Sequence, residues 1–89
     1  MKAHSISEIE KALKKVSNWN LVEISIQKKF QFKDFSEALS FIVKVGLLAE
    51  KQGHHPEIWN VYNKVTLSLN THDANGITDK DFLLASSID

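Results

Sequence analysis

The sequence contains no cysteine. That excludes disulfide cross-links, a thiol nucleophile and any cysteine-ligated zinc site. An excess of charge of one sign is missing too: eleven basic and eleven acidic residues cancel to a formal net charge of zero. No basic stripe runs along the chain, and phosphate binding needs clustered Lys or Arg, so nucleic acid is not the expected partner. The longest apolar run, Phe41 to Ala49, is interrupted by Lys44 and is far too short to span a bilayer. The opening residues, Met1-Lys2-Ala3-His4-Ser5-Ile6-Ser7-Glu8, lack the apolar core of a signal peptide. A soluble cytoplasmic protein without a membrane partner is the expectation. No Gly-rich phosphate loop and no Ser/His/Asp arrangement is legible.

What remains is a chain of 89 residues, 43% hydrophobic and 25% charged. Those proportions suit one globular domain spanning residues 1–89. A chain this short buries roughly 60–65% of its unfolded surface, enough for one modest core. Ser5-Ile6-Ser7-Glu8 has the form of a capping box, and Ile6, Ile9, Leu13 and Val16 recur at helical spacing, so a helix is expected over about residues 6–16. Trp19 to Ile26 reads as a strand, with Val22, Ile24 and Ile26 alternating against Glu23, Ser25 and Gln27. Lys28 to Lys33 reads as its hairpin partner, although no Asn-Gly type turn marks the connection. Asp34-Phe35-Ser36-Glu37 is a second capping box and opens a helix running to about Gln52. Strands follow at Ile58 to Tyr62 and Val65 to Thr71, joined at Asn63-Lys64. Thr78-Asp79-Lys80-Asp81 then opens a last helix carrying Phe82, Ala85 and Ile88 on one side. The order α-β-β-α-β-β-α predicts an α+β fold, a four-stranded antiparallel sheet with three helices on one face.

The second helix carries more apolar surface than one sheet covers. At 100° per residue its apolar residues sweep roughly 220°, about twice the stripe of a surface helix. Glu50 falls inside that arc, between Leu39 and Val43. An assembly of at least two copies is therefore expected, with this helix or a sheet edge at the interface.

The single proline of the chain, Pro56, closes the stretch Glu50-Lys51-Gln52-Gly53-His54-His55-Pro56. Pro56 forces His55 out of the helical region, and Gly53 is a natural helix stop. Two adjacent imidazoles are thus released at a helix end, one turn after Glu50. Each alone has an ordinary explanation: His54-His55 as a solvated turn, Glu50 as an edge residue reaching water, His72 as an exposed strand end. Together they are groups able to move protons near neutral pH. A zinc site with three protein ligands is the competing reading. Adjacent histidines point differently, and the His-x-x-x-His and His-x-His spacings that place two imidazoles on one face are absent.

Glu50, His54-His55-Pro56, Tyr62, His72 and Asp81 stand at the spacing of a known motif: an acid, three residues, His, His or Asn, Pro, five residues, an aromatic, nine residues, His or Trp, then Asp. The chain resembles the pterin-4a-carbinolamine dehydratases. The likeness extends through Trp19, Phe30-Gln31-Phe32-Lys33-Asp34-Phe35, Ala49-Glu50-Lys51, Asn60-Val61-Tyr62-Asn63-Lys64-Val65 and Leu69-Asn70-Thr71-His72. Ile58-Trp59 departs from it, many members placing Trp earlier. The resemblance implies removal of water from a 4a-hydroxytetrahydropterin to give the quinonoid dihydropterin, recycling a tetrahydropterin, with no metal or redox cofactor. It implies that His54 protonates the departing hydroxyl with Glu50 orienting it, and that His72 is the second acid or base. His55, Pro56, Trp59, Thr71 and Asp81 would bind the pterin or shape its site. It also implies homodimers or homotetramers. The alternative is a non-catalytic binding or assembly module, of the transcriptional dimerisation-cofactor type, that keeps the pocket.

Overall fold

Residues 2–89 are described in the computed structural model. In chain order they form α1 (Ile6–Leu13), β1 (Asn20–Val22), β2 (Ser25–Gln31), α2 (Phe35–Gln52), β3 (Glu57–Val61), β4 (Lys64–Leu69) and α3 (Asp79–Ile88). A 3₁₀ turn, His72–Ala74, precedes α3. The strands make one antiparallel sheet in the order β1-β2-β4-β3. The α+β architecture and the α-β-β-α-β-β-α order are those expected from the sequence.

Alternation decides which face of the sheet is covered. On β4, Val65, Leu67 and Leu69 are buried, while Lys64, Thr66 and Ser68 between them point to the other side. Register carries the pattern outward, with Ile26 opposite Leu69 on one side and Ile58 opposite Leu67 on the other. The inner face packs on Ile9 of α1, on Ala38, Val45 and Ala49 of α2, and on Leu84 and Ala85 of α3. Among the described residues no helix covers the outer face, and Trp59 and Val61 of β3 are exposed there. On α2, Phe35, Leu39, Val43 and Leu47 also remain exposed. The wide apolar arc of this helix is thus only partly used within one copy.

Five boundaries differ from the sequence expectation, the first being β2, which runs over Ser25–Gln31 and not Lys28 to Lys33. Helix α1 ends at Leu13, not near residue 16; Lys14 caps it, and the chain turns through Asn18, whose φ is +62°. Val16 still packs against the core from outside the helix, which is why it matched the helical spacing. Trp19 to Ile26 is not one strand: a two-residue turn at Glu23-Ile24 divides it, Val22 pairing with Ser25. Tight hairpins favour φ > 0 at the turn, usually from Gly or Asn. Here Glu23 supplies it at +56°, so nothing in the composition marks the turn. The β3–β4 turn is likewise Tyr62-Asn63 rather than Asn63-Lys64, with Tyr62 at φ +52°. Strand β4 ends at Leu69, and Thr71 instead makes an isolated bridge with Gly76.

Helix α2 has the predicted span, and its ends explain why. Asp34 accepts a hydrogen bond from the Glu37 N–H, and Glu37 reaches back to the Lys33 N–H. At the other end Gly53 adopts φ +62° and its N–H bonds to the carbonyls of Ala49 and Glu50. The N-terminal segment is laid against the 71–77 loop. His4 N–H donates to the Ile77 carbonyl at 2.7 Å, and a Cβ at Gly76 would stand 2.9 Å from that of Ala3. Only glycine allows that approach without a shift. At the far end of α3, Asp89 ties the chain back to the segment before β1, through Ser17 and Trp19, and to β2, through Lys28.

Candidate active site

Register places the histidines. Glu57 of β3 pairs with Ser68 of β4, so the residues before Glu57 run beside those after Ser68. His54-His55-Pro56 and Asn70-Thr71-His72 therefore meet at one end of the sheet, where α3 also begins. Gly53 ends α2 and the His54 N–H still bonds to the Ala49 carbonyl, which fixes where the first imidazole leaves the helix.

His54 Nε2 lies 2.5 Å from Asp81 Oδ1. Asp81 is fully buried and His54 is 11% exposed. The second carboxylate oxygen, Oδ2, accepts from the Thr71 hydroxyl and from the Thr78 N–H, each at 2.9 Å. Thr71 and Thr78 share a hydroxyl–hydroxyl bond of 2.6 Å. Thr78 is the N-cap of α3 and Asp81 is the third helical residue, so the same carboxylate completes a capping box. Its position in the first turn of α3 places a negative charge at the positive end of the helix dipole.

Glu50 pairs with His55, not with His54 as expected from the sequence: His55 Nε2 is 2.6 Å from Glu50 Oε1. A separation of four residues holds two side chains together only while the helix continues, and here the helix stops at Gly53 between them. The reversal of the chain there sends His54 inward to Asp81 and leaves His55 beside Glu50. That second pair is surface-exposed, at 64% for His55 and 76% for Glu50. The carboxylate that orients His54 is Asp81.

The other residues named from the sequence divide between the two faces of this cluster. Thr71 and Asp81 are buried and bonded to each other, and Asp81 also holds His54. His72 follows Thr71 directly, opens the 3₁₀ turn and is exposed. The Thr71–Gly76 bridge and the left-handed Asn75, at φ +53°, pin the loop that carries it. Pro56 is partly buried at the start of β3. Trp59 and the turn residue Tyr62 are exposed, and Trp59 lies on the sheet face away from the helices; neither joins the hydrogen-bonded cluster.

Thr78 is the site residue that sequence reasoning missed. It was visible as the start of a capping box, but nothing in the spacing says that the box carboxylate also holds an imidazole. Among the described residues no three His, Asp or Glu side chains gather as a metal-ligand set. A cleft of about 470 Å³ lies elsewhere, between α2 and the end of α3, walled by Phe41, Leu48 and Ile88. Its only ionisable groups are Lys44 and Lys51, so it offers no acid–base pair.

Comparison with known proteins bears on this arrangement. The profile of one family, described as "Pterin 4 alpha carbinolamine dehydratase", matches residues 2–89. A protein of Solibacter usitatus, named provisionally as such a dehydratase, is 47% identical over 85 residues, covering 96% of this chain and 90% of its own. A relative from Sinorhizobium fredii with the same provisional name is 49% identical over 83 residues, covering 91% of this chain and 79% of its own. A crystal structure from Brucella melitensis, described as a transcriptional coactivator/pterin dehydratase, superposes with a TM-score of 0.93 at 39% identity. It covers 98% of this chain and 95% of that one. A pterin dehydratase-like RuBisCO assembly factor of the alpha-carboxysome shares the fold, with a TM-score of 0.68 at 19% identity, covering 81% and 86% of the two chains. With the profile matched from end to end of the described residues, and relatives near half identity over nearly the whole chain, this protein belongs to the pterin-4-alpha-carbinolamine dehydratase family.

Proposed function

We propose that the protein dehydrates a 4a-hydroxytetrahydropterin to the quinonoid dihydropterin, using His54 and His72 as its acid and base. The observation that carries this reading is His54. It is held by a buried carboxylate through Nε2, and its other nitrogen has no hydrogen-bond partner among the described residues. The only buried side-chain polar atom lacking one among the described residues is Gln52 Oε1, so His54 Nδ1 is not sealed off in the core. A ring fixed at one nitrogen and open at the other is suited to deliver a proton to a bound molecule.

The step balances without a redox partner. Protonation of the 4a-hydroxyl lets the C4a–O bond break and water leave. The N5 lone pair forms the new C4a=N5 bond, and the N5 proton passes to a base. One proton is given and one is taken. The His55–Glu50 pair, exposed at the rim, is assigned to holding the pterin ring. The assay is loss of the carbinolamine absorbance with purified protein, after subtraction of the spontaneous rate; no rate above that background would refute the reading. Because proton transfer accounts for the chemistry, turnover should survive exhaustive chelation. Loss with EDTA and recovery with zinc would instead support the zinc-site reading.

A second reading, a binding or assembly module, draws on the exposed stripe of α2. Phe35, Leu39, Val43 and Leu47 form a continuous apolar row on one side of an 18-residue helix, and surfaces of this kind mark interaction sites. We assign the row to a second copy of the chain, giving a homodimer or homotetramer. Light scattering at micromolar concentration should give at least twice the 10.1 kDa chain mass. A monomer would leave the stripe to a different protein. The Brucella structure is described as a coactivator as well as a dehydratase. The two readings separate on catalysis: a pure module shows no turnover.

A further inference from the structure

We propose that Thr78, with Thr71, is a positioning residue for the dehydration: the two hydroxyls hold Asp81 in the one orientation that keeps His54 in its Nε2–H form with Nδ1 free to work. The inference rests on the functional reading above and extends it to residues outside the family's spacing motif.

The hydrogen bonds can be given a direction. A carboxylate only accepts. Thr71 Oγ1 donates to Asp81 Oδ2, so in the 2.6 Å contact between the threonines the Thr78 hydroxyl must donate to Thr71. Thr78 Oγ1 accepts in turn from the Lys80 N–H at 3.3 Å. The chain of donors therefore runs from Lys80 N–H through Thr78 and Thr71 to Asp81 Oδ2. The Thr78 N–H supplies a second donor to the same oxygen. With Oδ2 doubly occupied, Oδ1 is left to His54 alone. His54 must present a hydrogen there, so the proton of the neutral ring sits on Nε2 and Nδ1 is bare. When the ring is charged, the proton it can give is on Nδ1, the nitrogen that is not sealed off in the core.

The middle of the relay is buried. Thr78 is 1% and Thr71 7% exposed, so water cannot replace a lost hydroxyl, and bonds in such a chain polarise one another. The start of α3 therefore has two tasks: it caps the helix and it orients the imidazole. Removing one hydroxyl while keeping side-chain shape separates them, because the Thr78 N–H bond to Asp81 survives.

The experiment compares Thr78→Val, Thr71→Val and Thr78→Ser with the wild type by steady-state kinetics and by ¹⁵N NMR of the His54 ring, assigned through His54→Gln. In the wild type, Nδ1 should resonate as the bare nitrogen of the neutral ring. Thr78→Val and Thr71→Val should lower kcat about tenfold, as a slightly misplaced group does, with KM within about twofold. Both should also mix the two tautomers. Thr78→Ser should restore kcat and the single tautomer. Circular dichroism and thermal melts establish that each variant is folded under assay conditions. If the valine variants keep wild-type kcat and an unmixed tautomer, the proposal is overturned. It is equally overturned if kcat falls only in step with the unfolded fraction while the tautomer is unchanged, since the threonines then serve the helix cap alone. If the wild type shows no dehydration at all, the functional reading fails, and the tautomer data still decide whether the threonines hold Asp81 and His54.

Discussion

His54→Ala and His72→Ala are expected to lower kcat by about 10²–10⁴-fold each, the contribution of a positioned acid or base, while His55→Ala mainly raises KM. His54 has a fixed geometry. A fully buried carboxylate holds its Nε2, and Nδ1 has no hydrogen-bond partner among the described residues, so the ring need not reorganise to transfer a proton. His55 has a carboxylate partner too, but both members of that pair are largely in water. An exposed pair is held less tightly and contributes less to a transition state than a buried one. It can still contact substrate, and a group that binds substrate and transition state equally changes KM without changing kcat. His72 stands one residue beyond Thr71, itself bonded to Asp81, on a pinned loop, and under the proposed function it is the base for the N5 proton. Rates must be compared after subtracting the spontaneous dehydration. If His55→Ala loses most of kcat and His54→Ala does not, the roles are reversed. If all three variants dehydrate like the wild type, catalysis does not pass through these histidines and the module reading takes over.

Why the fold was legible and part of the site was not follows from particular residues. The helix α2 carries its own limits: Asp34 and Glu37 at one end, Gly53 at the other. β4 alternates cleanly because one of its faces is buried. The first hairpin turn left no trace and the second was displaced by one residue, because Glu23 and Tyr62 adopt a left-handed backbone that their side chains do not advertise. Val22, Ile24 and Ile26 continued an apparent alternation across a turn that divides them. At the site, the residue types were readable and the family resemblance implied that 50–56 and 71–72 share it, but the partners were not readable. Sequence separation suggested Glu50 for His54. The partner is Asp81, which is 27 residues away, and the left-handed Gly53 sends the two histidines to different carboxylates. Pairing across a chain reversal depends on the backbone path, which spacing does not encode.

Asp89→Ala is expected to destabilise the fold by about 2 kcal/mol, because removing one partner of a partly buried, hydrogen-bonded ion pair leaves the others unpaired. The Asp89 carboxylate accepts from Ser17 N–H at 2.8 Å, from Trp19 Nε1–H at 3.0 Å and from Lys28 Nζ at 3.0 Å. Its side chain is 18% exposed and that of Lys28 13%, so solvent screens the pair only partly. The truncation strands three donors and opens the packing of Trp19, which belongs to the core. For a domain of this size that corresponds to a fall in Tm of roughly 8–16 °C, measured at fixed protein concentration because assembly also shifts Tm. The effect should depend on pH. Burial pushes the Asp89 carboxyl up, but the Ser17 N–H, the Lys28 ammonium and the Trp19 indole outweigh it and hold it below its ordinary value of 3.8. A carboxyl lowered by folding adds stability that is complete above its unfolded value and disappears as pH falls through the folded one. The gap between wild type and Asp89→Asn should therefore be constant near neutrality and shrink below about pH 4. A wild-type-like melt for Asp89→Ala at pH 7, or a gap unchanged down to pH 3, would show that the link from α3 to the segment before β1 and to β2 contributes nothing to stability.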